Sequence, residues 1–257
     1  MPSLVKFSHD RNIASIRLNR PERHNALTPA LLNDLRGCLE LARGVAPDAL
    51  VLSAEGRSFS TGGDIGGFME HAESPDELLA YSDRIVGALH DVIIDLLEFP
   101  APVLAAVNGP VTGGSLGLIL AADLVAMSEN TFLQPYYAVV GFGPDGGWTA
   151  LLPERIGTAK ALEIQYLNTR LTANDALSLG LANAVVPEGA VERQIDTWTA
   201  SIAGMNANTL KATRANIWDK KRIATVRERL DQEKSRFLER VTAPDTLEGM
   251  KRFTGRP

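Results

Sequence analysis

The hydrophobic pattern near the N terminus switches between the period of a strand and the period of a helix. Residues 13–18 alternate between two faces, and residues 4–7 are expected to pair with them across a turn near residues 9–12. Leucines then recur at helical spacing to about residue 43, after Thr28 as the N-cap and Pro29 in the first turn. The apolar run at 49–53 predicts a buried strand. A sheet with a helical connection therefore begins at the N terminus.

The alternation of strands and helices continues to about residue 135. A long helix is predicted from Ser74 and Pro75 up to Pro100, because proline is favoured in the first turn of a helix and ends one elsewhere. Repeated strand–helix units are typical of α/β folds. The later predicted elements are a strand at 103–107, a helix at 115–122 and short strands at 124–127 and 131–133.

The second half of the chain has a helical period from residue 158 onward. We interpret residues 1–195 as an α/β core and residues 196–257 as a helical C-terminal region. The exposed faces of these last helices are compatible with contact either with solvent or with another subunit. The helices predicted in this half lie at 159–167, 172–179, 191–203 and 222–241.

Composition narrows the class of protein. The chain has 257 residues, of which 45% are hydrophobic, enough for a sizeable core. A formal charge of −5 argues against a general surface for nucleic acid or anionic membranes.

No leader pattern opens the chain, and the single cysteine, Cys38, has no partner for an internal disulfide. The apolar run at 115–127 is too short to span a bilayer, and no residues have metal-ligand spacing. We expect a soluble cytoplasmic protein without a metal.

Two glycine-containing segments carry the candidate chemistry. The first reads G-R-S-F-S-T-G-G-D-I at 56–65, and the second runs from N-G at 108–109 to G-G-S-L-G at 113–117. Each follows an apolar run and precedes a predicted helix. Glycine permits positive φ and close approach, so such turns can direct free backbone N–H groups at an oxygen atom. Together the two segments predict an oxyanion hole.

These motifs make the chain resemble the enoyl-CoA hydratase/isomerase, or crotonase, superfamily over nearly its whole length. The resemblance implies a spiral of ββα units with a helical C-terminal region that builds trimers or paired trimers. It also implies an acyl-CoA thioester substrate, with coenzyme A present only as part of that substrate. The matching motifs are R-P-E-R-H-N-A-L at 20–27, the glycine segment at 56–65, P-V-L-A-A-V-N-G at 102–109 with its continuation to Asp123, the segment at 171–182 and E-G-M at 248–250.

The resemblance also implies roles for individual residues. The N–H groups of Gly63 and Gly114 take the place of the oxyanion donors, and the segment at 23–27 lies at the edge of the nucleotide site. Arg23 and Arg256 are candidates for phosphate contacts, because a guanidinium pairs well with phosphate. The residues implied in binding substrate or coenzyme A are Arg23, His24, Asn25, Ala26, Leu27, Ser60, Gly62, Asp64, Ile65, Tyr137, Phe253 and Arg256.

The acid–base residues decide which reaction the family fold performs. Hydratases of the family carry two glutamates, and the corresponding positions here are Gly117 and Tyr136. Asp145, in G-P-D-G-G at 143–147, resembles the Pro-Asp or Pro-Glu element of the isomerase branch. A single base suffices to move a proton from C2 to C4 of an acyl chain. We therefore predict that the protein converts 3-enoyl-CoA to 2-enoyl-CoA.

Three further functions stay open at this point. In the 4-chlorobenzoyl-CoA dehalogenase branch an aspartate attacks the ring, a histidine assists hydrolysis and a tryptophan supports the nucleophile. Asp145 and His90 match that branch by spacing, whereas Tyr137 occupies the tryptophan position. His90 and Tyr136 are thus possible auxiliary residues. Hydration by an altered mechanism is the second of these functions, and binding of acyl-CoA without catalysis is the third.

Overall fold

Two sheets and a series of helices make up the fold, which the computed structural model describes for residues 3–255. The strands are β1 (Val5–Asp10), β2 (Ile13–Leu18), β3 (Ala49–Ala54), β4 (Val103–Val107), β5 (Val111–Thr112), β6 (Leu124–Ser128), β7 (Phe132–Gln134), β8 (Leu171–Thr172) and β9 (Ala184–Val186). The helices are α1 (Pro29–Gly44), α2 (Ile65–Glu70), α3 (Pro75–Leu97), α4 (Leu116–Leu120), α5 (Tyr137–Val140), α6 (Leu152–Ile156), α7 (Thr158–Leu167), α8 (Ala173–Ser178), α9 (Val191–Ala203), α10 (Ala207–Ile217), α11 (Lys220–Val241) and α12 (Pro244–Thr254).

The larger sheet has six strands in the order β1-β2-β3-β4-β6-β9. β1 and β2 form the predicted antiparallel hairpin, and each later neighbour in this sheet pairs in parallel. The hairpin turn lies at Arg11 and Asn12, which have φ values of 47° and 61°. The smaller sheet has the order β5-β7-β8. Parallel neighbours require crossover connections, so the strand–helix alternation of the sequence becomes a progressive winding of the chain.

The predicted helix starts at Thr28 and Ser74 are both confirmed. The Thr28 hydroxyl accepts a hydrogen bond from the N–H of Leu31 at 3.2 Å, and the Ser74 hydroxyl accepts one from Glu77 at 3.4 Å. Each N-cap is followed by a proline, which leaves no N–H to satisfy there. α1 packs against α3, and α3 packs in turn against α11. These helices cover the side of the sheet on which the main hydrophobic core lies.

The C-terminal helices are attached to the core by apolar packing and by one buried arginine. Val191 and Ile195 of α9 pack with residues of β3, β4 and β6, so the predicted division at residue 195 falls inside a helix that lies on the sheet. Arg214 of α10 donates hydrogen bonds to three carbonyl groups in the last turn of α3 and just beyond it, and pairs with Asp123 at 2.7 Å. Neither α10 nor α12 was expected from the sequence pattern. Within the described residues, no helix combines the length and hydrophobicity needed to cross a membrane.

Candidate active site

The two glycine segments lie side by side, as their predicted joint function requires. Ser60 forms a parallel bridge with Val111, and Leu27 forms one with Gly63. In the second bridge the N–H of Leu27 donates to the carbonyl of Gly62 at 2.7 Å, and the N–H of Asp64 donates to the carbonyl of Leu27 at 2.9 Å. Alternate peptide groups of an extended strand point in opposite directions. The N–H of Gly63 is therefore directed away from Leu27.

Close backbone approach explains why glycines are needed where the segments meet. Gly62 has a φ of +77°, and a Cβ there would lie 2.6 Å from the carbonyl oxygen of Thr112. Gly113 has a φ of +52° and begins a short 3-10 turn that leads into α4. Gly114 is the second residue of that turn, where a backbone N–H has no partner within the helix. Both predicted donor peptides can thus serve an external acceptor.

A cavity of about 70 Å³ contains both glycines and the candidate base. Its lining residues are mostly apolar or aromatic, which is the usual character of a site that buries a ligand. The structure therefore brings Gly63, Gly114 and Asp145 together with Tyr136 and Tyr137. The other lining residues are Thr61, Ile65, Phe68, Gly113, Pro135, Val140, Phe142, Phe237 and Phe253.

Asp145 is buried in the wall of this cavity beside Gly114. Only 7% of the residue is exposed, and its Oδ1 would lie 2.9 Å from a Cβ built on Gly114. The Tyr137 hydroxyl donates hydrogen bonds to the Asp145 carboxylate and to its backbone carbonyl. Burial raises the pKa of Asp145 from 3.8 to about 7; the Tyr137 hydrogen bond opposes this rise and the charge of Glu233 adds to it. At neutral pH this group can both accept and return a proton.

Tyr137 is held as a hydrogen-bond donor. Burial and the neighbouring Asp145 raise its pKa well above 10, so the phenol keeps its proton. Its ring lies edge-on to Trp148, whose indole N–H donates to the Gly113 carbonyl at 2.7 Å. Tyr137 thus orients the carboxylate, and Trp148 supports the turn that leads into Gly114.

Glu233 of α11 was not found from the sequence, yet it is one of the most constrained acids near the site. Its carboxylate accepts hydrogen bonds from the N–H groups of Gly147, Thr149 and Ala150 and from the Thr149 hydroxyl, at 2.7–2.8 Å. Burial raises the pKa of Glu233, which these hydrogen bonds oppose. The acid therefore fixes the turn that directly follows Asp145.

A sequence signal for Glu233 does exist. The buried residues of α11 recur at spacings of three and four, and Glu233 occupies one of the positions in this otherwise apolar stripe. A carboxylate in an apolar stripe needs a buried partner. The stripe consists of Ile223, Val226, Leu230, Glu233, Phe237 and Val241.

His90 is a buried, neutral side chain of α3. Burial, and secondarily the charge of Lys234, lowers its pKa to about 3. Among the described residues, neither ring nitrogen has a hydrogen-bond partner. Its Nε2 lies 3.9 Å from the nearer carboxylate oxygen of Glu233. His90 thus packs against Glu233, whose other contacts are with the turn after Asp145.

A wider groove of about 780 Å³ adjoins the small cavity and shares Gly63, Ile65, Tyr136 and Phe253 with it. The Arg23 side chain is 55% exposed at this groove and lies 3.3 Å from Asp64. The other predicted binding residues that line the groove are His24, Ala26 and Asp64. Arg57, which was not predicted, adds a second guanidinium 3.1 Å from the ring of His24.

Several predicted binding residues support the groove from beneath. The Asn25 side chain is fully buried and donates to the carbonyls of Glu55 and Ser58, while the Ser60 hydroxyl donates to the Asn25 carbonyl. Leu27 belongs to the hydrophobic core. The binding roles of all these residues, at the groove and beneath it, stay predictions, and Arg256 lies outside the described residues.

Neither Gly117 nor Tyr136, the two positions that the resemblance matches to the hydratase glutamates, supplies a carboxylate. A Cβ on Gly117 would lie 2.5 Å from the Gly146 carbonyl oxygen and would overlap the Ile93 side chain. Tyr136 adopts a left-handed conformation, with a φ of 64°, and its N–H donates to Asn168 at 2.9 Å. Among the charged side chains that the structure describes, Asp145 alone lines the small cavity.

Comparison with known proteins assigns this geometry to a family. The sequence model described as enoyl-CoA hydratase/isomerase matches residues 8–256. The chain belongs to the enoyl-CoA hydratase/isomerase family. It is therefore related to enzymes that act on acyl-CoA thioesters, and the resemblance found in the motifs is confirmed.

Members of the enoyl-CoA hydratase/isomerase family with different names resemble the chain to similar degrees. A protein named probable enoyl-CoA hydratase from Mycobacterium tuberculosis is 33% identical over 221 residues, which are 84% of this chain and 77% of that protein. A 4-chlorobenzoyl coenzyme A dehalogenase from an Arthrobacter species is 29% identical over 216 residues, or 80% of this chain and 77% of the relative.

A solved structure confirms the crotonase fold of the family. An enoyl-CoA hydratase/isomerase from Mycobacterium paratuberculosis superposes with a TM-score of 0.87 at 26% identity, over 98% of this chain and 99% of that one. The predicted fold class is therefore correct, including the helical C-terminal region.

Proposed function

We propose that the protein shifts the double bond of a 3-enoyl-CoA thioester to give the conjugated 2-enoyl isomer. The observation that carries this proposal is that Asp145 is the one carboxylate, among the described residues, that lines the small cavity; it lies beside Gly114 and has a pKa near 7. Isomerisation needs one group that accepts a proton and returns it. Hydration by the two-carboxylate route needs two acids, and the space at Gly117 admits no side chain.

The reaction begins when the thioester carbonyl accepts hydrogen bonds from the N–H groups of Gly63 and Gly114. The Asp145 carboxylate removes a proton from C2, and the electron pair moves into the carbonyl to form a dienolate. Each well-placed donor contributes roughly 3 to 4 kcal/mol to the stability of the developing oxyanion. The protonated Asp145 then delivers its proton to C4, and the electrons return to form the C2–C3 double bond. Protons and electrons balance without a co-reactant.

Tyr137 and Glu233 set the state of the base without touching the thioester. The hydroxyl of Tyr137 holds one carboxylate oxygen of Asp145, so the other is available to the substrate. Glu233 holds the following turn and, through its charge, favours the protonated form of Asp145. The arrangement supports a base whose proton affinity lies near neutrality, where general acid–base transfer is most efficient.

A substrate panel tests the proposed reaction. The protein is incubated with 3-enoyl-CoA, 2-enoyl-CoA and 4-halobenzoyl-CoA, and the products are separated by chromatography and identified by mass spectrometry. Isomerisation produces a conjugated thioester of unchanged mass, whereas hydration adds the mass of water. Asp145→Asn is expected to lose nearly all turnover while it keeps its affinity for the CoA ester. Undiminished isomerisation by this variant contradicts the proposed role of Asp145.

The second candidate is hydrolytic dehalogenation, which the named Arthrobacter relative supports. In that reaction the Asp145 carboxylate attacks the ring carbon, halide leaves, and water hydrolyses the aryl ester. The structure offers less for the hydrolytic step, because His90 is held neutral in a buried position against Glu233. Halide release from 4-halobenzoyl-CoA, with no isomerisation of 3-enoyl-CoA, would favour this candidate.

The proposed enzyme assembles as a homotrimer or a dimer of trimers and takes coenzyme A only as part of its substrate. The family resemblance and the exposed apolar side chains of α7, Leu162, Tyr166 and Leu167, support an assembly. Light scattering after size-exclusion chromatography measures the mass directly. A monomer at micromolar concentration contradicts the assembly but leaves the reaction unaffected.

A further inference from the structure

We infer that the acyl site is closed at its far end and accepts only short acyl groups. The inference rests on the proposed function in one respect: the acyl group of the thioester enters the small cavity beside Asp145. Phe68, Val140, Phe142 and Phe237 line that cavity but not the groove that leads to it, and we call these four residues the end wall.

The three phenyl rings of the end wall contact one another in a closed triangle. The centroid of Phe68 lies 5.2 Å from that of Phe142 and 5.8 Å from that of Phe237, and the remaining pair is 4.8 Å apart. Aromatic rings at these separations are in van der Waals contact. An alkyl chain therefore has no passage between them. Tyr81 packs edge-on against Phe68 at 5.1 Å and supports that ring from α3.

Backbone contacts at three glycines fix the part of the end wall that carries Val140 and Phe142. A Cβ on Gly143 would lie 2.8 Å from the backbone of Arg236 and Phe237 in α11, and one on Gly141 would lie 3.0 Å from the Cα of Thr246 in α12. A Cβ on Gly249 would overlap the carbonyl oxygen of Val140.

The segment 140–143 thus lies backbone to backbone against two helices. Interiors packed at this density transmit strain and do not yield locally. A longer acyl chain therefore cannot displace this side of the wall by a change of rotamer alone.

The size of the cavity gives the limit on chain length. The cavity has a volume of about 70 Å³, whereas the groove that leads to it has about 780 Å³. An engineered apolar cavity of about 150 Å³ in another protein holds one benzene molecule. The acyl cavity has about half that volume, which at the same packing is room for about three carbon atoms, so it suits a short acyl chain and excludes chains near ten carbons.

The experiment measures the affinity of saturated thioesters, which carry no double bond and cannot react by isomerisation. Butyryl-, hexanoyl-, octanoyl- and decanoyl-CoA are titrated calorimetrically into the wild-type protein. We expect butyryl-CoA to bind most tightly and decanoyl-CoA to bind at least tenfold more weakly. Wild-type protein that binds decanoyl-CoA as tightly as butyryl-CoA overturns the inference.

Phe142→Ala is expected to restore decanoyl-CoA binding toward the value for butyryl-CoA, because it removes one of the three rings of the triangle. Phe7→Ala is the matched control, since Phe7 is also half-buried but lies on β1, which packs against α1. Phe237→Leu provides a milder second variant if the alanine variant does not fold. An unchanged preference in every folded wall variant overturns the inference.

This experiment distinguishes failure of the proposed isomerisation from failure of the proposed closed acyl site. If the binding limit holds but no 3-enoyl-CoA of any length is isomerised, the proposed reaction is wrong and the closed acyl site stands. If short and long 3-enoyl-CoA esters are isomerised equally well and decanoyl-CoA binds tightly, the reaction stands and the closed acyl site is wrong.

Discussion

Asp145→Asn is expected to make the folded protein more stable at alkaline pH while it abolishes turnover. The native structure holds this carboxyl in a nearly dry environment beside Glu233, where ionisation is unfavourable. Asparagine has nearly the same shape, can accept the Tyr137 hydrogen bond and carries no charge. The substitution therefore removes a destabilising charge that the proposed reaction requires, as is common for functional groups in enzyme sites.

The expected difference in stability between the wild type and Asp145→Asn follows from the pKa of Asp145. That pKa is about 7 in the folded protein, against 3.8 for an ordinary aspartate, a difference of about three units. At 1.36 kcal/mol for each unit, ionising the native carboxyl costs the fold about 4 kcal/mol above pH 7.

The sign of the pH effect is fixed by proton binding. Between about pH 4 and pH 7 the folded state binds more protons at this site than the unfolded state, so wild-type stability falls as pH rises through that window. Asp145→Asn does not lose stability in this way, because asparagine does not ionise. The two proteins are therefore expected to differ by up to about 4 kcal/mol at pH 8 and to converge toward pH 4.

Urea denaturation at several pH values, at one fixed protein concentration, measures this difference. Asp10→Asn is a suitable control, because the Asp10 side chain is 88% exposed and its replacement should change stability little at any pH. The reasoning is refuted if Asp145→Asn shows the same pH dependence as the wild type, or if it is the less stable protein at pH 8.

Three further predictions concern turnover. The value of kcat/KM should rise with pH through a midpoint near 7, because Asp145 must be ionised to accept the C2 proton; initial rates across that range measure it. Glu233→Gln should move this midpoint to lower pH, since the Glu233 charge raises the pKa of Asp145, whereas Glu228→Gln on the exposed face of α11 should not move it. Gly114→Ala should reduce kcat by about a hundredfold or more, because the new Cβ would lie 2.7 Å from Leu89 and 2.9 Å from the Asp145 carboxylate. Retained kcat in a folded Gly114→Ala protein, or an unshifted midpoint in Glu233→Gln, would contradict the respective prediction.

Local signals made much of the fold predictable. The N-caps at Thr28 and Ser74, each followed by proline, determine where α1 and α3 begin, because the deciding contacts lie within one turn. Strand periodicity likewise located β2, and a continuous apolar run located β3. α10 and α12 were missed although Asn206 caps the first and Pro244 begins the second; how such helices attach to the core depends on contacts with distant parts of the chain. Arg214 of α10, for example, binds carbonyl groups more than a hundred residues earlier.

The residue types of the site were also accessible from the sequence, but their environment was not. Glycine pairs and a Pro-Asp element mark Gly63, Gly114 and Asp145 because turns and backbone donors depend on adjacent residues. The sequence alone thus determined the α/β class, the family and the candidate reacting groups.

Only the tertiary structure decided how those groups behave. Glu233 reaches the turn after Asp145 from 83 to 86 residues away in the sequence, and the end wall joins Phe68, Phe142 and Phe237 from three separate segments. Burial and the charge of that distant acid set the pKa of Asp145, and backbone contacts of residues 140–143 with α11 and α12 hold the end wall in place. Desolvation and packing depend on everything that surrounds a group, whichever part of the chain supplies it.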